Sequence, residues 1–276
     1  MINTKQVMLI TWASSGIGKD MAMTFVNEWY TVYGAARRME KMQDIADAGW
    51  HILQMDISDE DQIAAAINTI ISEQWQIDVL INNAWFSMSG AVEEVSMEDA
   101  KYQFEVNVFG LARMTQLVLP HMRTQKSWKI VNISSIAGKM TFPYMWWYHA
   151  SKHAVESLSD ALRIEVKDFW IDVIVIEPWI IKTEFGEAVD HHMIDKYNDW
   201  PYAHRADLYQ QAMQKSYDPS GSASSPSVIT DIVHKAITTH SPRPRYHAGK
   251  FSSTLFFLKR LLPDRLFDKF AIKMFS

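Results

Sequence analysis

Tyr148 and Lys152 stand four residues apart in the segment YHASKHAVESL, and Ser135 precedes the tyrosine by thirteen residues. A four-residue step along a helix puts two side chains on one face, one turn apart. A phenol ordinarily titrates near 10, and a neighbouring ammonium favours its phenolate, so the pair could carry a proton near neutrality. Taken alone, such a pair is more often a packed ring beside a solvated amine. Its weight comes from the motifs around it.

These residues need a frame, and the chain supplies one by alternation. QVMLIT (Gln6 to Thr11), YTVYGAA (Tyr30 to Ala36), HILQM, IDVLIN (Ile77 to Asn82), KIVNIS (Lys129 to Ser134) and IDVIVIEP (Ile171 to Pro178) read as short buried strands. Helical stretches separate them: Gly16 to about Glu28, Lys41 to Ala48, Asp59 to Gln74, Ser96 to His121 with Pro120 near its end, and the stretch carrying Tyr148 and Lys152. The expected fold is therefore α/β, a doubly wound parallel sheet of the Rossmann type with helices on both faces and a ligand at the carboxyl ends of the strands. A single domain over 1–250, a lid and connector at 184–227, a helix from about Val228 to Thr239, a short strand near Arg245 to His247 and a helical extension over 251–276 complete the reading.

The first strand-to-helix turn, TWASSGIG (Thr11 to Gly18), sets small residues before a helix N-terminus, where free N–H groups and the helix dipole suit a pyrophosphate. The second strand is followed by Arg37 and Arg38, at the place where an adenosine ribose would lie. An acidic residue there would meet a free 2′-hydroxyl, whereas arginine accommodates a 2′-phosphate, so NADP(H) is favoured over NAD(H).

Composition narrows the classes. The 276 residues are 48% hydrophobic and 21% charged, enough for a sizeable core, and a net charge of −5 gives no reason to expect nucleic acid. No cysteine is present, which removes disulfides and thiolate chemistry and fits a reducing, cytoplasmic setting. No signal peptide and no spanning helix are expected. His191 and His192 lack the helical pair plus acid of a zinc site, so no metal is expected.

Together TWASSGIG, Asp56, NNA at Asn82 to Ala84, Asn107 in VNVFG, NISS at Asn132 to Ser135, YHASK and EPWIIKT at Glu177 to Thr183 resemble the classical short-chain dehydrogenase/reductase family, from about Lys5 to Phe185. The resemblance implies direct hydride transfer between NADP(H) and a carbonyl or alcohol. Tyr148 would be the acid or base, Lys152 would lower its pKa and hold the nicotinamide ribose, Ser135 would bind the substrate oxygen, and Asn107 would position a relay water. Thr11, Ser14, Ser15, Gly16, Ile17 and Gly18 would cradle the pyrophosphate. Arg37, Arg38 and Asp56 would meet the adenosine end, Asn83 and Ala84 its ribose side, and Pro178 and Thr183 the nicotinamide. The family also implies a homo-oligomer, through the helices at 96–121 and 148–168.

One departure stands out. Tryptophan occupies family glycine positions at Trp12, Trp85 and Trp179, and similar places at Trp29, Trp75, Trp128 and Trp170. The 10 glycines and 11 tryptophans together make about 8% of the chain, near glycine's usual share of about 7%. Glycine serves where φ is positive or backbone approaches a ligand, and an indole does neither without strain. An impaired cofactor site, and with it a dinucleotide sensor or a non-catalytic scaffold, is the alternative to an oxidoreductase. The basic, amphipathic C-terminus, broken at Pro263, resembles that of the steroid- and retinol-dehydrogenase-like branch. It points to an apolar substrate, with packing inside the protein favoured over peripheral membrane contact.

Overall fold

The computed structural model describes residues 5–125, 128–183, 201–217 and 220–275. Much of the expected lid, including His191 and His192, lies outside the described residues. Seven strands form one parallel sheet: β1 (Gln6–Thr11), β2 (Tyr30–Ala36), β3 (His51–Gln54), β4 (Val79–Asn82), β5 (Trp128–Ile133), β6 (Ile171–Pro178) and β7 (Arg245–Ala248). Their order is β3-β2-β1-β4-β5-β6-β7. The chain winds outward from β1 through β2 to β3, then returns to β4 on the other side of β1. That reversal opens a crevice between the carboxyl ends of β1 and β4, where ligands bind in open α/β sheets.

Side chains alternate across each strand, so both faces of the sheet must be covered. Met8 and Ile10 of β1 enter one core layer under α1 (Gly16–Val26) and α8 (Ser227–Thr238), with Met21, Phe25, Ile229 and Val233. Val7 and Leu9 enter the opposite layer under α3 (Glu60–Gln74) and α5 (Leu111–Gln125), with Ile63, Ile70, Met114 and Val118. The expected strands and the expected doubly wound class are present.

Two helical details differ from expectation. The stretch from 96 to 121 is not one regular helix: α4 (Met97–Phe104) passes through a π-helical turn (Glu105–Gly110) into α5, which continues past Pro120 to Gln125. Such a turn adds a residue to the helical repeat and is frequent at functional sites. The Lys41 to Ala48 stretch is a 3₁₀ turn (Met39–Met42) leading into a short α2 (Gln43–Asp47).

A third cluster lies beyond the sheet's carboxyl edge. Here α7 (Ala203–Tyr217) and two C-terminal helices, α9 (Ser252–Leu261) and α10 (Asp264–Met274), separate at Pro263 as the sequence requires. Tyr209, Met213, Leu255, Phe267 and Phe275 pack with Phe142 and Met145, so the extension closes over the site side of the sheet.

The tryptophans divide into two groups. Trp12, Trp29, Trp75 and Trp170 adopt left-handed backbone at φ 56°, 73°, 64° and 63°, the conformation glycine favours. Trp85, Trp128 and Trp179 do not share that conformation. Trp128 is buried within β5, so positive φ explains four of the seven positions and not the others.

Candidate active site

The sheet's carboxyl edge gathers the expected residues from separate segments. Ser135 follows β5 and caps a 3₁₀ turn (Ile136–Gly138), its Oγ accepting from the Ala137 N–H at 3.1 Å. Tyr148 and Lys152 lie one turn apart on α6 (Trp146–Glu165). Ser135 and Tyr148 line one pocket, Ser135 Oγ donates to the Pro178 carbonyl at 3.4 Å, and Lys152 Nζ lies 5.8 Å from the phenol ring centroid. Lys152 Nζ also donates to the Ile133 carbonyl at 2.9 Å, which ties α6 to the end of β5.

Burial dominates the electrostatics. The Tyr148 phenol is pushed up to about 12 by desolvation, with the Ser135 hydroxyl pulling the other way. Desolvation holds the Lys152 ammonium down to about 7, opposed by Glu156 one turn further along α6. The expected lowering of the phenol by its ammonium neighbour is thus outweighed here, because enclosure penalises both charged forms. The phenol holds its proton at neutral pH, which is the form a proton donor needs.

The pocket around them is apolar. Ser135 and Tyr148 face a cavity lined by Phe142, Met145, Trp179, Tyr209, Met213 and Phe275, with Ile17, Trp85, Pro178 and Thr183 on the cofactor side. The Ser134 hydroxyl, buried on the same wall, has no hydrogen-bond partner among the described residues.

Asn107 sits in the π-helical turn, and its side chain is spent on structure. It receives the Phe86 N–H at 2.6 Å and donates to the Phe86 carbonyl at 2.8 Å and to Ser151 Oγ at 2.9 Å. Its amide therefore locks the loop after β4 to α6, and no side-chain N–H is left for a relay water.

A second compartment lies on the other side of the crevice, lined by Thr11, Ser14, Ala35, Arg37, Arg38, Asp56, Ala84 and Tyr102. Arg37 donates to Tyr102 Oη at 3.0 Å and stands 3.8 Å from Asp56. Asp56 Oδ1 accepts the Ser58 N–H and hydroxyl, which fixes its loop. Thr11 and Asn83 are less exposed than expected: Thr11 Oγ1 accepts the N–H groups of Asn83 and Ala84, and Asn83 Nδ2 donates to the Thr11 carbonyl. They brace the two strand ends against each other from beneath.

The turn between these compartments has the form an anion requires. No side chain caps the N-terminus of α1 at Ser15, and no acidic residue lies in its first turn. Gly16 takes φ +54°, with Thr183 against the face a Cβ would occupy, and a Cβ at Gly18 would come within 2.2 Å of the Trp12 carbonyl. The uncapped helix N-terminus and the glycines of its first turn fit the phosphates of a nicotinamide dinucleotide, with Arg37 and Arg38 at its adenosine end. The two ends of the crevice fit such a cofactor. Between them, the Trp12 and Trp85 rings stack at 6.2 Å and 11°.

Two features escaped the sequence reading. His149, beside the catalytic candidate Tyr148, accepts the Phe142 N–H on Nε2 at 3.1 Å and meets the Met145 carbonyl through Nδ1 at 2.6 Å. Those two partners assign the proton to Nδ1 and hold the ring neutral, with burial keeping its pKa near 4. Behind Lys152, the buried carboxyls of Glu156 and Glu177 meet the half-buried Arg245, and Glu177 also meets His247 at the surface. A histidine inside YHASK and a glutamate before Pro178 were visible, but nothing in their spacing showed that they would be paired.

A doubly wound sheet with serine, tyrosine and lysine gathered at its carboxyl edge beside a phosphate-binding turn defines a dinucleotide-dependent oxidoreductase fold. The chain matches the short chain dehydrogenase family over residues 6–193 and belongs to it. A 3-ketodihydrosphingosine reductase of Bacteroides thetaiotaomicron is 33% identical over 271 residues, covering 98% of this chain and 97% of its own. A short-chain dehydrogenase from Streptomyces avermitilis superposes with a TM-score of 0.82 at 30% identity, covering 98% of this chain and 96% of the other. The structure of ElxO with NADP bound gives 0.76 at 26% identity, over 91% and 99%.

Proposed function

We propose that this chain is an NADP(H)-dependent oxidoreductase that interconverts a ketone and a secondary alcohol on an apolar, lipid-like substrate. The observation that carries this reading is that Ser135 and Tyr148 open together onto one apolar pocket, with Lys152 buried behind them. When bound, the dinucleotide would supply or accept hydride at the substrate carbon.

The chain's own residues account for the rest. Ser135 and Tyr148 would hold the carbonyl oxygen between two hydroxyls, and these bonds strengthen as negative charge develops on that oxygen. Tyr148 would give its proton to the alkoxide, and the oxidised direction reverses this step. The Lys152 ammonium would return a proton to the phenolate and be recharged from solvent, because burial holds its pKa near 7. Phe142, Met145, Met213 and Phe275 exclude water and take the apolar body of the substrate. The 3-ketodihydrosphingosine reductase named above supports a ketone on a lipid backbone. Arg37 and Arg38 at the end of β2 support the 2′-phosphate over a free ribose. A cytoplasmic homo-oligomer that uses α4, α5 and α6 accompanies this reading.

The test is NADPH oxidation with purified protein over ketones of increasing chain length. Turnover should rise with chain length and should depend on Tyr148. Equal rates in wild type and Tyr148→Phe would remove the mechanism.

A further inference from the structure

We infer that Trp12 and Trp85 form a gate across the dinucleotide groove, closed in this structure, which a whole dinucleotide must part and half a dinucleotide need not. The inference rests on the cofactor reading above and concerns how that site admits its ligand.

The placement follows from the topology. Trp12 is the residue after β1, and Trp85 follows β4 by three positions, so the two indoles rise from opposite lips of the crevice where the strand order reverses. Their rings are nearly parallel, 11° apart with centroids at 6.2 Å. Arg37 adds a third layer, its guanidinium 5.8 Å from the Trp12 ring. Trp85 lines the catalytic pocket and Trp12 lines the adenosine compartment, and no residue lines both. The stack is therefore the partition between the two ends that fit the cofactor.

The backbone keeps Trp12 at this post. Its left-handed φ of 56° sets the direction of Cα–Cβ, and its carbonyl lies against Gly18, where a Cβ would approach to 2.2 Å. The main chain has no room to sink under the turn, so only the side chains can move. Both indoles are half-buried, which leaves them a solvent side to swing toward. Opening gives up one aromatic stack and one cation–π contact. A closed state favoured by contacts of this class lowers apparent affinity by roughly fivefold to fiftyfold, because only the open fraction binds.

Calorimetric titration of the full chain with NADPH and with 2′,5′-ADP tests this, since the bisphosphate fills only the adenosine compartment. In Trp12→Gly/Trp85→Gly, NADPH should bind roughly fivefold to fiftyfold more tightly, and in Trp85→Ala, which leaves the lining of the adenosine compartment in place, 2′,5′-ADP should change less than about twofold. Trp85→Ala, which alters no left-handed residue, should give part of that gain. In wild type, NADPH should change the indole fluorescence and 2′,5′-ADP should change it far less. Equal NADPH affinity in wild type and the double variant would overturn the gate and leave the functional reading standing. Failure of wild type and both variants to bind either compound would overturn the cofactor reading, and the gate with it.

Discussion

The two halves of the groove are built on opposite principles. On the catalytic side, the proposed function depends on side chains that are present: a hydroxyl and a phenol lining the pocket and an ammonium buried behind them. On the phosphate side, function depends on side chains that are absent, and there an indole stands at Trp12 and another at Trp85. Chemistry written in reactive groups tolerates change around it as long as those groups stay in place. A cradle made of bare backbone is altered by any atom added to it.

Removing one atom from the catalytic half should produce the largest effect. Tyr148→Phe deletes the proton donor, so kcat should fall by roughly 10²–10⁴-fold, the usual weight of general acid catalysis. Affinity for 2′,5′-ADP, which reports on the other half, should stay unchanged by calorimetry. Loss of both together would mean that the halves are not independent.

Next comes a pH effect that belongs to the catalytic half alone. His149 has an ordinary value near 6.5 in the unfolded chain and is held down to about 4 in the fold, because burial opposes its charge and Nε2 must accept the Phe142 N–H. A lowered folded value contributes stability that is complete above about 6.5 and is lost as pH falls through about 4. Asp78 and Glu177, raised by burial to about 6 and about 8, gain stability as pH falls over much of the same range, so the His149 effect is a difference between proteins: from pH 6.5 to 4, stability in thermal melts should fall by up to about 1.4 kcal/mol per pH unit more in wild type than in His149→Gln. The same pH dependence of Tm in wild type and His149→Gln between 6.5 and 4 would show that the ring is not held neutral.

The adenosine half answers to charge. Arg37→Ala/Arg38→Ala should weaken NADPH and spare NADH, a change of roughly 1.5–3 kcal/mol for charged hydrogen bonds to one phosphate. Equal losses for both cofactors would show that the arginines shape the compartment without reading the 2′-phosphate.

The same contrast explains what could be read from the sequence. The strands were legible because both sheet faces are covered, which forces near-continuous apolar runs such as QVMLIT and IDVIVIEP. Ser135, Tyr148 and Lys152 were legible because the reaction dictates their types and one helical turn dictates their spacing. The protonation of Tyr148 was not, since it follows from the enclosure built by α7 and the C-terminal helices, elements far away in the chain. Nor was the side-chain bonding of Asn107, which depends on a π-helical turn that shifts the face it presents. The positive φ of Trp12, Trp29, Trp75 and Trp170 was readable only as glycine's expected place, and the structure separates these positions from Trp85, Trp128 and Trp179.

That separation yields the smallest predicted effect and the cleanest comparison between like residues. Trp75 caps α3 with φ 64°, and its ring is 79% exposed, so the indole contributes little burial while its Cβ strains the backbone. The capping contacts come from the main chain: its N–H donates to the Ile71 carbonyl, and its own carbonyl accepts from Gln125 Nε2. Glycine keeps both bonds. Relief of a left-handed non-glycine residue is worth roughly 1–3 kcal/mol, offset by about 0.5–1 kcal/mol for glycine's greater freedom when unfolded. Trp75→Gly should therefore raise stability by about 1 kcal/mol, a Tm increase of roughly 2–4 °C. Trp128→Gly should do the reverse, because that ring is 7% exposed in β5 without positive φ, and emptying such a site costs about 3–5 kcal/mol. If both variants lower the Tm, the left-handed cap carries no strain, and the reason tryptophan is costly at Trp12 must lie in the groove it crosses and not in the backbone beneath it.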